Sequence, residues 1–109
     1  MAINQDFVDY LVDQLSGLGG VYTKRMFGGV GFFKDGRMFG MIADDLFRLK
    51  ADAASQSDFE QAGMSPFAPY GDHRTMPYWE VPADVLEDAF LLCVWATKAH
   101  EAALRTKMK

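Results

Sequence analysis

Cysteine is almost missing from this sequence: Cys93 is the only one in 109 residues. One thiol closes no internal disulfide and builds no cysteine-cluster zinc site. Cys93 falls inside the apolar run Leu91-Leu92-Cys93-Val94-Trp95, with no cation beside it to activate a thiolate, so it reads as a small core residue and not a nucleophile. Histidine is scarce as well. His73 and His100 are far apart and have no acid or thiol at metal-ligand spacing, so both read as solvated side chains. No run of about 18 apolar residues is present to span a bilayer. The opening MAINQDFVDY has neither the basic start nor the apolar centre of a secretory leader. The expectation is a cytoplasmic chain with no membrane partner.

Motifs of bound chemistry are also missing. Gly28-Gly29-Val30-Gly31 lacks both the G-x-G-x-x-G and the G-x-x-x-x-G-K-[ST] spacing, and it lies between two strand-like runs. It reads as turn or bulge geometry. Asp44-Asp45 and Glu87-Asp88 are adjacent pairs. Neighbours diverge on a strand or a helix, so neither pair makes an acid–base couple. The residues thus give no catalytic set, no cofactor and no metal site, and the chain is expected not to be an enzyme.

What is present is the composition of one folded domain spanning residues 1–109, with 50% hydrophobic and 24% charged residues. The net charge is −4, but it is unevenly spread. Residues 24–50 are basic, with Lys24, Arg25, Lys34, Arg37, Arg48 and Lys50 against three aspartates; residues 51–97 are strongly acidic, with Arg74 the only cation. An acidic whole repels a phosphate backbone. No helix carries a basic stripe, and the best candidate contact is the short cluster Arg105-Thr106-Lys107-Met108-Lys109. Tight autonomous binding to nucleic acid is therefore not expected.

Phe7, Leu11, Leu15 and Leu18 recur at helical steps, with Asn4 placed as N-cap and Gly17, Gly19 and Gly20 as the stop. From Val21 the texture changes to short aromatic and β-branched runs: VYTKRMF, VGFF, RMFGMIA and LFRLK. Asp35-Gly36 predicts a hairpin pairing residues 30–34 with 37–43, and Asp44-Asp45 a second turn into residues 46–50. Gly28 and Gly29 mark a turn or a bulge. Residues 52–62 predict a short helix capped by Asp52 or Ser55, residues 64–75 a loop, and residues 76–81 a strand with Pro77 at its start or on an edge. A long helix is predicted from Ala83 to Lys107, with Pro82 before it. Elements in blocks imply an α+β two-layer sandwich, an antiparallel sheet with helices flanking it.

Phe27, Phe32, Phe33, Phe39, Phe47, Tyr78 and Trp79 fall in these strands, interleaved with Lys24, Arg25, Arg48 and Lys50. That mixture is compatible with a platform for single-stranded nucleic acid. Alternation favours the plainer reading of a packed sheet with basic residues on its other face: Phe47 and Leu49 point one way, Leu46, Arg48 and Lys50 the other.

The run Lys24-Arg25-Met26-Phe27-Gly28-Gly29-Val30-Gly31-Phe32-Phe33 resembles the opening signature of the TfoX N-terminal domain family. Asp35 to Phe39, Leu46 to Lys50, Phe59 to Phe67 and Met76 to Pro82 resemble its later elements, so the likeness runs from about residue 6 to residue 105. The resemblance implies a secretion-chaperone-like fold of order α-β(3)-α-β(2)-α. It also implies a role like that of bacterial regulators of competence and transcription, which have no established catalytic set. Those regulators carry a second, helix-rich domain that this sequence does not contain. The expected function is a non-enzymatic regulatory domain that binds a protein partner not identified by the sequence, and that forms a homodimer. The alternative is a small-molecule domain in which Arg25 or Lys50 anchors an anionic ligand.

Overall fold

The computed structural model describes residues 4–26, 28–71 and 73–105. Helix α1 (Gln5–Gln14) starts as the sequence predicts: the Asn4 side chain accepts a hydrogen bond from the Phe7 N–H, and Asp6 lies in the first turn. A single 3₁₀ turn, Ser16–Leu18, ends this segment. Four strands follow, β1 (Tyr22–Met26), β2 (Gly29–Lys34), β3 (Arg37–Ala43) and β4 (Leu46–Lys50). Both predicted two-residue turns form. Asp35 and Gly36 take φ 54° and 77°, and Asp44 and Asp45 take φ 54° and 63°. Two consecutive positive φ values match the right-handed twist of the strands they join, which is why Asp and Gly occupy these positions.

Helix α2 (Gln56–Gln61) is shorter than the predicted 52–62. Asp52 folds residues 52–55 into a turn, its carboxylate accepting from the Ala54 N–H and the Ser55 hydroxyl. Pro66–Phe67, read as loop, forms the two-residue strand β5, and β6 (Met76–Glu80) carries Pro77 at its second position. The predicted long terminal helix is two helices, α3 (Ala83–Leu86) and α4 (Ala89–Arg105). The break comes from Asp88, whose carboxylate accepts from the Leu91 N–H and so caps a new helix. The strand position read for Phe27 and the helical reading of residues 106–107 lie outside the described residues. The first block has the four strands read from its four runs, one more than the order implied by the resemblance, and the closing helix is split; the α+β class and the antiparallel sheet stand.

The six strands form one antiparallel sheet in the order β1-β2-β3-β4-β6-β5. The core lies between one face of this sheet and the helices. Val30, Phe32, Phe39, Ile42, Phe47, Leu49 and Trp79 meet Leu11, Leu15, Phe59, Val85, Leu92, Ala96 and Ala99. The small residues of α4 let its backbone approach the sheet, and Phe32 and Phe47 pack edge to face at 5.0 Å. One irregularity serves the core: the pairing shifts between Phe32 and Phe33, leaving Phe39 as an extra residue in β3. The bulge turns Phe39 inward to full burial against His100.

Candidate functional site

Strand register assigns every sheet side chain to a face. Val30, Phe32, Phe47, Leu49 and Trp79 face the helices, so Lys24, Gly31, Met41, Arg48 and Glu80, joined by successive cross-strand pairings, form a row on the opposite face. Met26, Phe33, Met38, Lys50, Phe67 and Tyr78 share that face. The packed helices α1 to α4 contribute to the core on the other side, so this face has no helical layer among the described residues.

The uncovered face carries a groove of about 360 Å³, lined by Met26, Met38, Met41, Phe67, Pro69 and Met76 and also by Asp44. Its floor depends on Gly31. A Cβ there would stand 2.8 Å from the Met26 sulfur and the Phe33 ring and 2.9 Å from the Met38 sulfur. Met26 and Met76 are exposed; Met38, Met41 and Phe67 are half-buried. Unbranched thioethers with several rotatable bonds make an apolar surface that adapts to what it meets.

Three cations stand over aromatic rings of the same face: Lys24 Nζ 5.4 Å from the Phe33 ring, the Arg48 guanidinium 4.5 Å from Phe67, and Lys50 Nζ 5.3 Å from Tyr78. None of the three makes an ion pair among the described residues. Arg48 is the unusual one. It is 7% exposed, and its Nε is buried without a hydrogen-bond partner among the described residues. Burial pulls its guanidinium below the usual value, while Glu80 opposite it and Asp44 draw it partly back. The rest of the charge is segregated. The strands hold six cations against Glu80, whereas the helices hold seven carboxylates against Lys98 and Arg105. Arg25, Lys34 and Arg37 belong to the helical side, donating to Gln5, to the Leu18 and Gly19 carbonyls, and to the Ala103 carbonyl.

The two cations singled out from sequence are therefore separated. Lys50 is on the uncovered face, beside a depression of about 250 Å³ that Phe33, Arg37, Met38 and Tyr78 also line. Arg25 is on the helical side, 2.7 Å from Gln5 Oε1. Sequence reasoning missed the methionines and Phe67, because one strand's alternation marks two faces without marking which one stays bare. His100 corrects the solvated reading. It is 7% exposed, with Nε2 3.1 Å from the Lys34 carbonyl and 3.6 Å from Asp35 Oδ2. His73 is exposed, as expected. Cys93 is half-buried and donates to the Gln14 carbonyl at 3.5 Å. Among the described residues no helix is long and apolar enough to cross a membrane.

No curated protein matches this chain. The family model of the TfoX N-terminal domain matches residues 13–103, which takes in every strand, both sheet faces and α4 up to its last turn. With most of its length covered, the chain belongs to the TfoX N-terminal domain family.

Proposed function

We propose that this chain is a non-enzymatic regulatory domain, acting in the cytoplasm in competence or transcription control, and that it works by binding another protein. Its family supports the regulatory part. The observation that carries the binding part is the uncovered sheet face, where a methionine-lined groove lies among cations that have no ion-pair partner among the described residues. Such a face on an otherwise packed sandwich is an interaction surface. A photo-crosslinking amino acid at position 41, in the groove, tests this in cells against the same probe at position 57, an exposed site on α2. A protein adduct at 41 and none at 57 is expected. Equal labelling at both sites, or a metabolite turned over in an unbiased activity screen, overturns the reading.

The homodimer belongs to the opposite side of the molecule. Phe90 is 79% exposed and borders a groove of about 520 Å³ lined by Gln14, Gly17, Leu18, Cys93 and Val94. A knob beside a hollow is self-complementary about a two-fold axis, so each copy fills the other. Light scattering is expected to give a dimer that Phe90→Ser dissociates; a monomer mass at high concentration removes the proposal. Duplex DNA is not the partner, since the acidic helices present no basic stripe to a groove. A gel shift at near-physiological salt showing sequence-selective binding below about micromolar would overturn that.

A second reading rests on Lys50. The depression it shares with Arg37, between Phe33 and Tyr78, suits a small planar anion. A thermal-shift screen of anionic metabolites separates the two: a hit abolished by Lys50→Ala favours the ligand, and a flat panel removes it.

A further inference from the structure

The uncovered face has two properties together, an adaptable apolar groove and cations around it, on a chain whose other side is acidic. We infer that its occupant is an acidic amphipathic helix of a partner protein, which seats its apolar stripe in the methionine groove and its carboxylates on Lys24 and Lys50. The inference rests on the protein-binding reading above and names the partner's chemistry.

The geometry suits a helix. Lys24, Gly31, Met41 and Arg48 are in one row across four strands, with the apolar groove of Met26, Met41 and Met76 beside it and Lys50 on the same face. The row ends in Glu80 on β6, so the carboxylates of the helix belong over Lys24 and Lys50 and its apolar stripe over the thioethers. About 18 residues, or about 27 Å at 1.5 Å per residue, cross six strands at about 4.8 Å spacing. An amphipathic helix laid by its apolar face into a groove is a recurrent mode of recognition.

The other occupants fit less well. A second copy placed face to face would set Lys24, Arg48 and Lys50 against their own images, which repels. A second copy presenting its acidic helices to this face makes a head-to-tail contact that does not close. Edge pairing is blunted on both sides, by Lys24 at the centre of β1 and by the two-residue length of β5. Single-stranded nucleic acid needs bare ring faces for its bases. Tyr78 is only 6% exposed here, Phe33 is stacked on Tyr22 at 5.5 Å with Lys24 above it, and Phe67 is half-buried with one face on Arg48. The exposed apolar surface of this face is shared by Met26, Met76, Leu46 and Tyr22, whose ring is already stacked on Phe33, and the net charge of −4 repels phosphate.

The test uses the whole chain and a displayed library of about 18-residue helices with a fixed leucine stripe and flanks randomised between Glu and Lys. Enriched helices are expected to be net negative, to bind the double variant Lys24→Glu/Lys50→Glu about tenfold more weakly, and to lose affinity with added salt. Both lysines are solvent-side residues, and circular dichroism with a urea midpoint verifies that the variant is folded. No enrichment, enrichment of neutral or basic helices, or equal binding to the double variant overturns the inference. So does an oligo-dT of about 12 nucleotides that binds more tightly than any enriched helix, which would assign the face to nucleic acid. If a partner crosslinks at position 41 while acidic helices are not enriched, the acidic-helix inference fails and the protein-binding reading stands; absence of both removes both.

Discussion

Replacing Arg48 by methionine should make this protein more stable. Arg48 is 7% exposed, and its Nε has no hydrogen-bond partner among the described residues. Leaving a buried donor unsatisfied costs about 1–3 kcal/mol. Against this stand the contact with the Phe67 ring at 4.5 Å, of the kind that contributes about 0.5–2 kcal/mol, and the attraction of Glu80 and Asp44. Methionine keeps an unbranched stem of similar reach and suits the neighbouring Met41. Replacing a desolvated charge by an apolar side chain of similar volume is often stabilising, and the balance here is a gain of about 1 kcal/mol. For a chain of this size that raises Tm by about 4 °C. The guanidinium stays charged across the working range, so the gain is the same at neutral and mildly alkaline pH. Urea unfolding measures it as a higher midpoint at unchanged slope. Glu80→Gln in both backgrounds isolates the pair: it should cost stability in the parent and nothing beside Arg48→Met. A loss of more than about 1 kcal/mol for Arg48→Met, matched by an equal coupling to Glu80, would refute the reasoning and show that the ionic attraction outweighs desolvation.

Three further outcomes follow from the packing and the charges. Leu92 is fully buried between α4 and the core, so Leu92→Ala should destabilise by about 2–5 kcal/mol in urea; a loss under about 1 kcal/mol would mean that α4 is not docked as described. Gly29→Ala should cost far more than Gly31→Ala, because a Cβ at 29 collides with the Ile42 carbonyl of the sheet backbone, whereas at 31 it meets the Met26 and Met38 thioethers and the edge of Phe33; comparable urea midpoints would contradict that ordering. The Arg105 side chain, 2.6 Å from Asp52, holds the Asp52 carboxyl below its ordinary value of 3.8. A depressed folded pKa gives stability that is present above the unfolded value and lost as the pH falls through the folded one, so Asp52→Asn should lower stability modestly at pH 7 and converge with the parent in acid, which flattens the acid limb of the stability–pH curve. The effect is small because the pair is on the surface, and an acid limb identical to the parent's would show that Asp52 does not contribute to it.

Much of the scaffold was legible because it is written in local chemistry. Asn4 as a cap, the apolar steps of α1, and the Asp35-Gly36 and Asp44-Asp45 turns act over a few residues, where propensity and φ/ψ preference decide. The alternation in β4 correctly sent Phe47 and Leu49 inward and Arg48 and Lys50 outward. What failed locally failed for nameable reasons. Asp88 competes for backbone donors and splits the terminal helix, and Pro66–Phe67 becomes a strand only because β6 is there to pair with it. The tertiary structure alone decided the rest. Alternation divides a strand into two faces, but only the docking of helices on one of them leaves the other bare. Only the sheet order then brings Lys24 of β1, Met41 of β3 and Arg48 of β4 into one row. The bulge at Phe39, the burial of His100 against it, and the desolvation of Arg48 beneath Phe67 likewise depend on contacts between residues distant in the chain. The sequence determined most of the elements, since their signals are short-range. Which surface remains free to bind was decided by packing, since it depends on what every other element covers.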